Sequence, residues 1–162
     1  MSVAEEVPDY SYIPKRVREV PAALDIMART IYGEARGESL QGKIEVAHVI
    51  LNRVELAGWM GDTIIKVCLK PWQFSCWNER DPNRELLEKI NYTGNKYRAW
   101  DRDLVRDCLY VAHGARRGLL PSNFDGKATH YFAPRAVSRP AWTDGATFLG
   151  SVGGHEFYGN VP

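Results

Sequence analysis

Charge of one sign is what this chain most lacks: 21 Lys and Arg stand against 20 Asp and Glu, for a net charge of +1 over 162 residues. Phosphate backbones are bound by a pronounced basic excess, so nucleic acid is not expected as a partner. Long apolar runs are missing too. The longest, Val46 to Leu51, is interrupted by His48 and is far too short to span a bilayer, so no stable membrane insertion is expected. A basic start followed by an apolar core is absent from MSVAEEVPDYSYIPKRVREV, so no secretory signal peptide is visible and synthesis in the cytoplasm is expected. Cysteine is scarce. Cys68, Cys76 and Cys108 make neither a metal quartet nor a disulfide framework, although Cys68 and Cys76 can pair in an oxidising compartment. No HExxH pattern or other tight ligand pair occurs, so neither a metal nor another cofactor is expected. Internal repeats and low-complexity tracts are lacking as well.

What is present suffices for one core: 44% of residues are hydrophobic and 11% aromatic. Residues 1–20 carry Pro8, Pro14 and mixed charges and read as an N-terminal arm, leaving residues 21–162 as a single domain. Apolar spacing predicts a helix from about Ala22 to Arg36, with Pro21 at its start and Gly37 at its end. Ser39 is the expected N-cap of a central, buried second helix running to about Leu56. Asp62 to Val67 reads as a short helical turn, Lys70 to Arg80 as a Pro- and Trp-containing loop, and Pro82 to Ile90 as another short helix. A long amphipathic helix is predicted from about Lys96 to Arg117, with Tyr97, Trp100, Leu104, Cys108, Val111 and Ala115 on one face and Gly118 as its stop. Thereafter Ala128–Phe132, Phe148–Val152 and His155–Tyr158 read as short strands, the last two separated by Gly153-Gly154. The fold class is α+β and mainly helical, with a small C-terminal antiparallel strand region.

Within the first helix, Leu24, Met27, Ala28, Ile31 and Ala35 recur at the spacing of a buried face, and Glu34 borders that stripe while Arg29 and Arg36 point elsewhere. A carboxylate at the edge of an apolar face loses hydration, which favours its neutral, proton-donating form. Cleavage of a glycosidic bond needs an acid of that kind. The competing reading of such a glutamate is a solvated or ion-paired surface residue.

Five ordered segments carry a resemblance. Ile31–Ser39, Val49–Val54, Gln73-Phe74-Ser75, Ala128–Pro134 with Pro140-Ala141-Trp142, and Gly154–Tyr158 together resemble the cell-wall hydrolases of the SleB type, which include spore-cortex-lytic enzymes and phage lysins. The resemblance covers roughly residues 22 to 160. It implies a lysozyme-like fold and cleavage of the N-acetylmuramic acid to N-acetylglucosamine linkage of peptidoglycan glycan strands, with Glu34 as the catalytic residue. It further implies a lytic transglycosylase that forms 1,6-anhydro ends.

On chemical grounds Glu34 would act as general acid and then as base on the sugar's own 6-hydroxyl, so a second carboxylate is not required. Glu38 reads as a structural or capping residue. Gln73, Phe74 and Ser75 lie in a loop flanked by Trp72 and Trp77, a composition that suits a saccharide groove, with core filling as the alternative for each aromatic ring. Tyr131, His130 and Trp142 are further expected substrate contacts, and Tyr131 is placed to hydrogen-bond the glutamate or the substrate. Asn52 is expected to satisfy a nearby polar group, and Arg53 to pair with a carboxylate. Competing functions are a cysteine peptidase using Cys76 or Cys68 with His130, a zinc amidase using His130, His155 and Glu34, and a non-catalytic saccharide-binding module. A monomeric phage-type endolysin acting at the bacterial cell wall, released by a holin or carried by a virion, is the expected setting.

Overall fold

The computed structural model of the chain describes residues 20–90 and 99–162. The expected arm, apart from Val20, lies outside the described residues, as do Tyr97 and the side chain of Trp100. Five helices precede a three-stranded sheet in the described segments: α1 Ala22–Ala35, α2 Leu40–Leu56, α3 Ile64–Leu69, α4 Pro82–Glu88, α5 Ala99–Arg116, then β1 His130–Phe132, β2 Thr147–Val152 and β3 His155–Gly159.

The apolar stripe of α1 is buried as its spacing predicts, with Leu24, Met27, Ala28, Ile31 and Ala35 at most 2% exposed. Each large side chain removed from water in this way stabilises the fold by about 1.5–3 kcal/mol. Off the stripe, Arg29 reaches Asp25 at 2.7 Å and Arg36 reaches Asn83 at 2.9 Å. Together α1, α2 and α5 enclose the main core, a cluster that includes Cys108, Val111 and Ala115 of α5 with Ile31 of α1 and Ala47 of α2.

Ser39 caps α2 by accepting the Gly42 amide at 3.2 Å. The helix is central, as expected, but it buries charge as well as apolar surface. Glu45 accepts hydrogen bonds from Gln41 Nε2, Ser122 Oγ and the Asn123 amide, each at 2.7 Å. A buried carboxylate is tolerated only when its lone pairs are used, and here they fasten the segment after α5 to α2.

The short third helix starts later than Asp62, because Thr63 is its cap and accepts the Lys66 amide at 3.2 Å. Asp62 instead pairs with Lys66 on the surface.

The strands order as β1-β3-β2, all antiparallel, with Tyr131 opposite Phe157 and Val152 opposite His155. Strand β1 is shorter than the predicted Ala128–Phe132. The Ala128 carbonyl is taken by Asn52 at 2.8 Å and the Thr129 carbonyl by Arg53 at 2.7 Å, so α2 side chains hold the backbone leading into the strand. This pins Tyr131 at a fixed distance from the helices. Val49 of α2, Ala128 and Phe157 form the second, smaller core beneath the sheet.

Gly153 closes the β2–β3 hairpin at φ +56°, in the left-handed region that hairpin turns demand. Glu38 accepts the neighbouring Gly154 amide at 3.1 Å, tying that turn to the end of α1. The contact secures a strand turn, whereas the sequence had suggested a structural or helix-capping residue.

Candidate active site

Glu34 ends α1 half-buried, with both carboxylate oxygens engaged. Oε2 accepts the Tyr131 hydroxyl at 2.7 Å, and Oε1 accepts the Cys76 backbone amide at 3.2 Å. The second contact exists because Gly33 lets the following loop approach. A Cβ on Gly33 would lie 2.6 Å from Cys76 Cβ. Burial, reinforced by the charge of Glu34, pushes the Tyr131 phenol well above its ordinary pKa, so its hydroxyl stays a donor. Two directed donors, one hydroxyl and one backbone amide, thus converge on the carboxylate, an arrangement that suits its ionised form.

Tyr131 also lines a groove of about 690 Å³, whose walls do not include Glu34 itself. Gln73, His130 and Trp142 lie in the same groove, with Asn52 and Thr129 between the helices and the sheet. His130 and Trp142 rings meet at 5.0 Å, and Trp142 packs edge-on against Tyr158 at 5.4 Å. Four of the expected contacts, Gln73, Tyr131, His130 and Trp142, therefore share one groove.

Phe74 is a correction. At 1% exposed it fills the core under the loop, with the Arg53 guanidinium 4.9 Å above its ring. An apolar ring next to α2 gains more from burial than from a wet groove wall. Ser75 is exposed on the short turn Ser75–Trp77 but does not line the groove. Trp77 is half-buried, and its indole N–H donates to Thr30 Oγ1 at 2.9 Å.

Arg53 overturns a second expectation. Among the described residues no carboxylate pairs with it directly and none hydrogen-bonds its buried Nη1, while Nε donates to the Thr129 carbonyl. Burial lowers its pKa, while Tyr131 and Glu34 act in the opposite sense. A guanidinium stays protonated under such conditions, so a buried positive charge stands behind the tyrosine and glutamate. That charge and, first, burial hold His130 at about 4, well below its ordinary value, so the ring in the groove is neutral at pH 7. His155 packs against Tyr131 at 4.9 Å, and burial lowers its pKa too.

Burial speaks against the cysteine-peptidase alternative. Cys68 and Cys76 are both buried and unpaired; burial raises Cys68 to about 12 and pushes Cys76 higher still, with Glu34 adding to the effect. Neither supplies a thiolate at neutral pH. Among the described residues, His130, His155 and Glu34 do not gather into a group able to hold a metal ion.

The sequence model described as Cell Wall Hydrolase matches residues 37–158, three quarters of the chain. The chain belongs to the cell wall hydrolase family. The match begins just beyond Glu34, so the case for that residue rests on its position and donors. A spore cortex-lytic enzyme of Bacillus cereus is 42% identical over 121 residues, covering 74% of this chain and 38% of the relative. Another, from Halalkalibacterium halodurans, is 29% identical over 161 residues, covering 94% of this chain and 42% of the relative. The chain spans 27–42% of the length of the curated relatives it matches. The catalytic domain of the germination-specific lytic transglycosylase SleB from Bacillus anthracis superposes with a TM-score of 0.60 at 25% identity, over 84% of this chain and 93% of that one. The mainly helical, lysozyme-like fold expected from the sequence is therefore the fold found.

Proposed function

We propose that this chain cleaves the N-acetylmuramic acid to N-acetylglucosamine linkage of peptidoglycan glycan strands as a lytic transglycosylase, with Glu34 as its sole catalytic carboxylate. The observation that carries this reading is the doubly held Glu34, joined through Tyr131 to a groove lined by polar and aromatic side chains. Glu34 protonates the leaving glycosidic oxygen as the C1–O bond breaks. It then accepts the proton of the muramyl 6-hydroxyl as that oxygen bonds to C1, closing a 1,6-anhydro ring and restoring the acid. No water is consumed. Glu38, the nearest acidic residue in sequence, is occupied by the Gly154 amide and faces His155 Nδ1 at 3.8 Å, which supports a mechanism with one carboxylate.

Gln73, His130, Tyr131 and Trp142 bind the sugars in this reading, and the enzyme acts as a monomer. The working site is the bacterial cell wall, in the manner of a phage-type endolysin. Spore cortex is the alternative, favoured by the names of the relatives; clearing of vegetative sacculi with cortex left intact supports the endolysin setting. Mass spectrometry of digested peptidoglycan tests the chemistry. Anhydro-muramyl ends are expected; reducing muramyl ends would make the enzyme a hydrolase, and free stem peptides would overturn glycan cleavage.

A further inference from the structure

Trp72 combines two features that rarely occur together. Its backbone sits at φ +68°, in the left-handed region that bulky residues avoid, and its side chain is 82% exposed. Burial does not compensate the strain, since the ring contributes almost nothing to the core. Strain of this kind persists where a side chain must be presented in a fixed direction. Trp59, on the connection between α2 and α3, is likewise 66% exposed. Both indoles line the groove that holds Tyr131, His130 and Trp142.

The groove's own chemistry selects the occupant. Asn52, Glu55, Gln73 and Lys127 line the groove together with the aromatic rings, which gives partners for sugar hydroxyl and amide groups as well as flat apolar faces. That mixture fits a pyranose chain, whose ring faces are apolar and whose rims are polar. A protein partner would call for a contiguous apolar patch instead.

We propose that Trp59 and Trp72 form a second saccharide-binding platform, gripping the glycan strand at sugars beyond the pair flanking the scissile bond and giving the enzyme a preference for long strands. The proposal rests on the reading of the groove as a glycan cleft. Sugar stacking on one indole is comparable to an aromatic pair, which predicts about a three- to tenfold effect on kcat/KM.

The test uses glycan strands purified from sacculi and fractionated by length, with the full chain and its Trp72→Gly and Trp59→Ala variants. Wild-type kcat/KM is expected to rise with strand length, and each variant to flatten that rise through KM. The Trp72→Gly protein is expected to keep or raise its Tm, because glycine relieves the left-handed strain and the lost ring was exposed. A length dependence identical to wild type in both variants overturns the platform, as does an equal loss on short and long strands. Wild-type protein that cleaves no strand of any length overturns the glycan-cleavage reading and the platform with it; normal wild-type cleavage with unaltered variants removes the platform alone.

Discussion

Tyr131→Phe separates the chemistry of the site from its architecture. The substitution removes one oxygen, the donor 2.7 Å from Glu34 Oε2, and leaves the ring 4.9 Å from His155 and 5.6 Å from Phe157. A hydrogen bond to a charged partner contributes about 1.5–3 kcal/mol. The bond acts on the carboxylate left after proton donation, and the loss is therefore felt in the transition state rather than in sugar binding. At about 1.4 kcal/mol per tenfold, kcat for muropeptide release should fall by roughly 10- to 150-fold with KM little changed. The packed ring should keep Tm within about 5 °C of wild type. Turnover of purified sacculi, followed by chromatography of soluble muropeptides, gives kcat and KM, and thermal unfolding by circular dichroism supplies the control. A kcat within about twofold of wild type would refute the assignment of Tyr131 as the donor that holds Glu34.

Other perturbations address the supports of the site. Gly33→Ala places a methyl 2.6 Å from Cys76 Cβ, so the loop must retreat and its amide must leave Glu34; a stability loss of about 1–3 kcal/mol in urea and a larger fractional loss of turnover are expected, and wild-type turnover would contradict it. His130 titrates at about 4 in the folded protein against an ordinary 6.5, so the native state binds fewer protons than the unfolded chain between those values. Stability contributed by the neutral ring is complete above pH 6.5 and is lost as the pH falls toward 4; the urea midpoint should drop over that window, and less steeply in His130→Gln. An identical pH dependence in that variant would contradict the reading of His130. Iodoacetamide at pH 7 should neither label nor inactivate the native protein, because Cys68, Cys76 and Cys108 are at most 1% exposed and burial raises the pKa of all three. Rapid inactivation would return a cysteine to the mechanism.

The helical frame was legible because its signals are local. The spacing of Leu24, Met27, Ala28, Ile31 and Ala35 set the buried face of α1, Gly37 and Ser39 marked the break, and Glu34 fell at the border of that face. Strand pairing was legible from Gly153-Gly154, which requires a hairpin there. Features made by groups distant in sequence were not. The Cys76 donor is a backbone amide, for which any residue type would serve, and its approach depends on Gly33, read only as a helix residue. Arg53 was assigned a carboxylate partner because buried charge usually has one, whereas the Thr129 carbonyl takes that place. Phe74 and Gln73 are neighbours in a loop of mixed character, and only the packing against α2 decides that the ring turns inward and the amide outward. The strained Trp72 backbone has no counterpart in composition or periodicity.

The central claim is that Glu34 performs both proton transfers. Its most direct test is mass spectrometry of the muropeptides released from purified sacculi by wild-type protein and by Glu34→Gln, which keeps the shape and the groove but cannot give or take the proton. The account predicts anhydro-muramyl products from the wild type and none from the variant, with glycan binding retained. The same products from Glu34→Gln at an undiminished rate would contradict it.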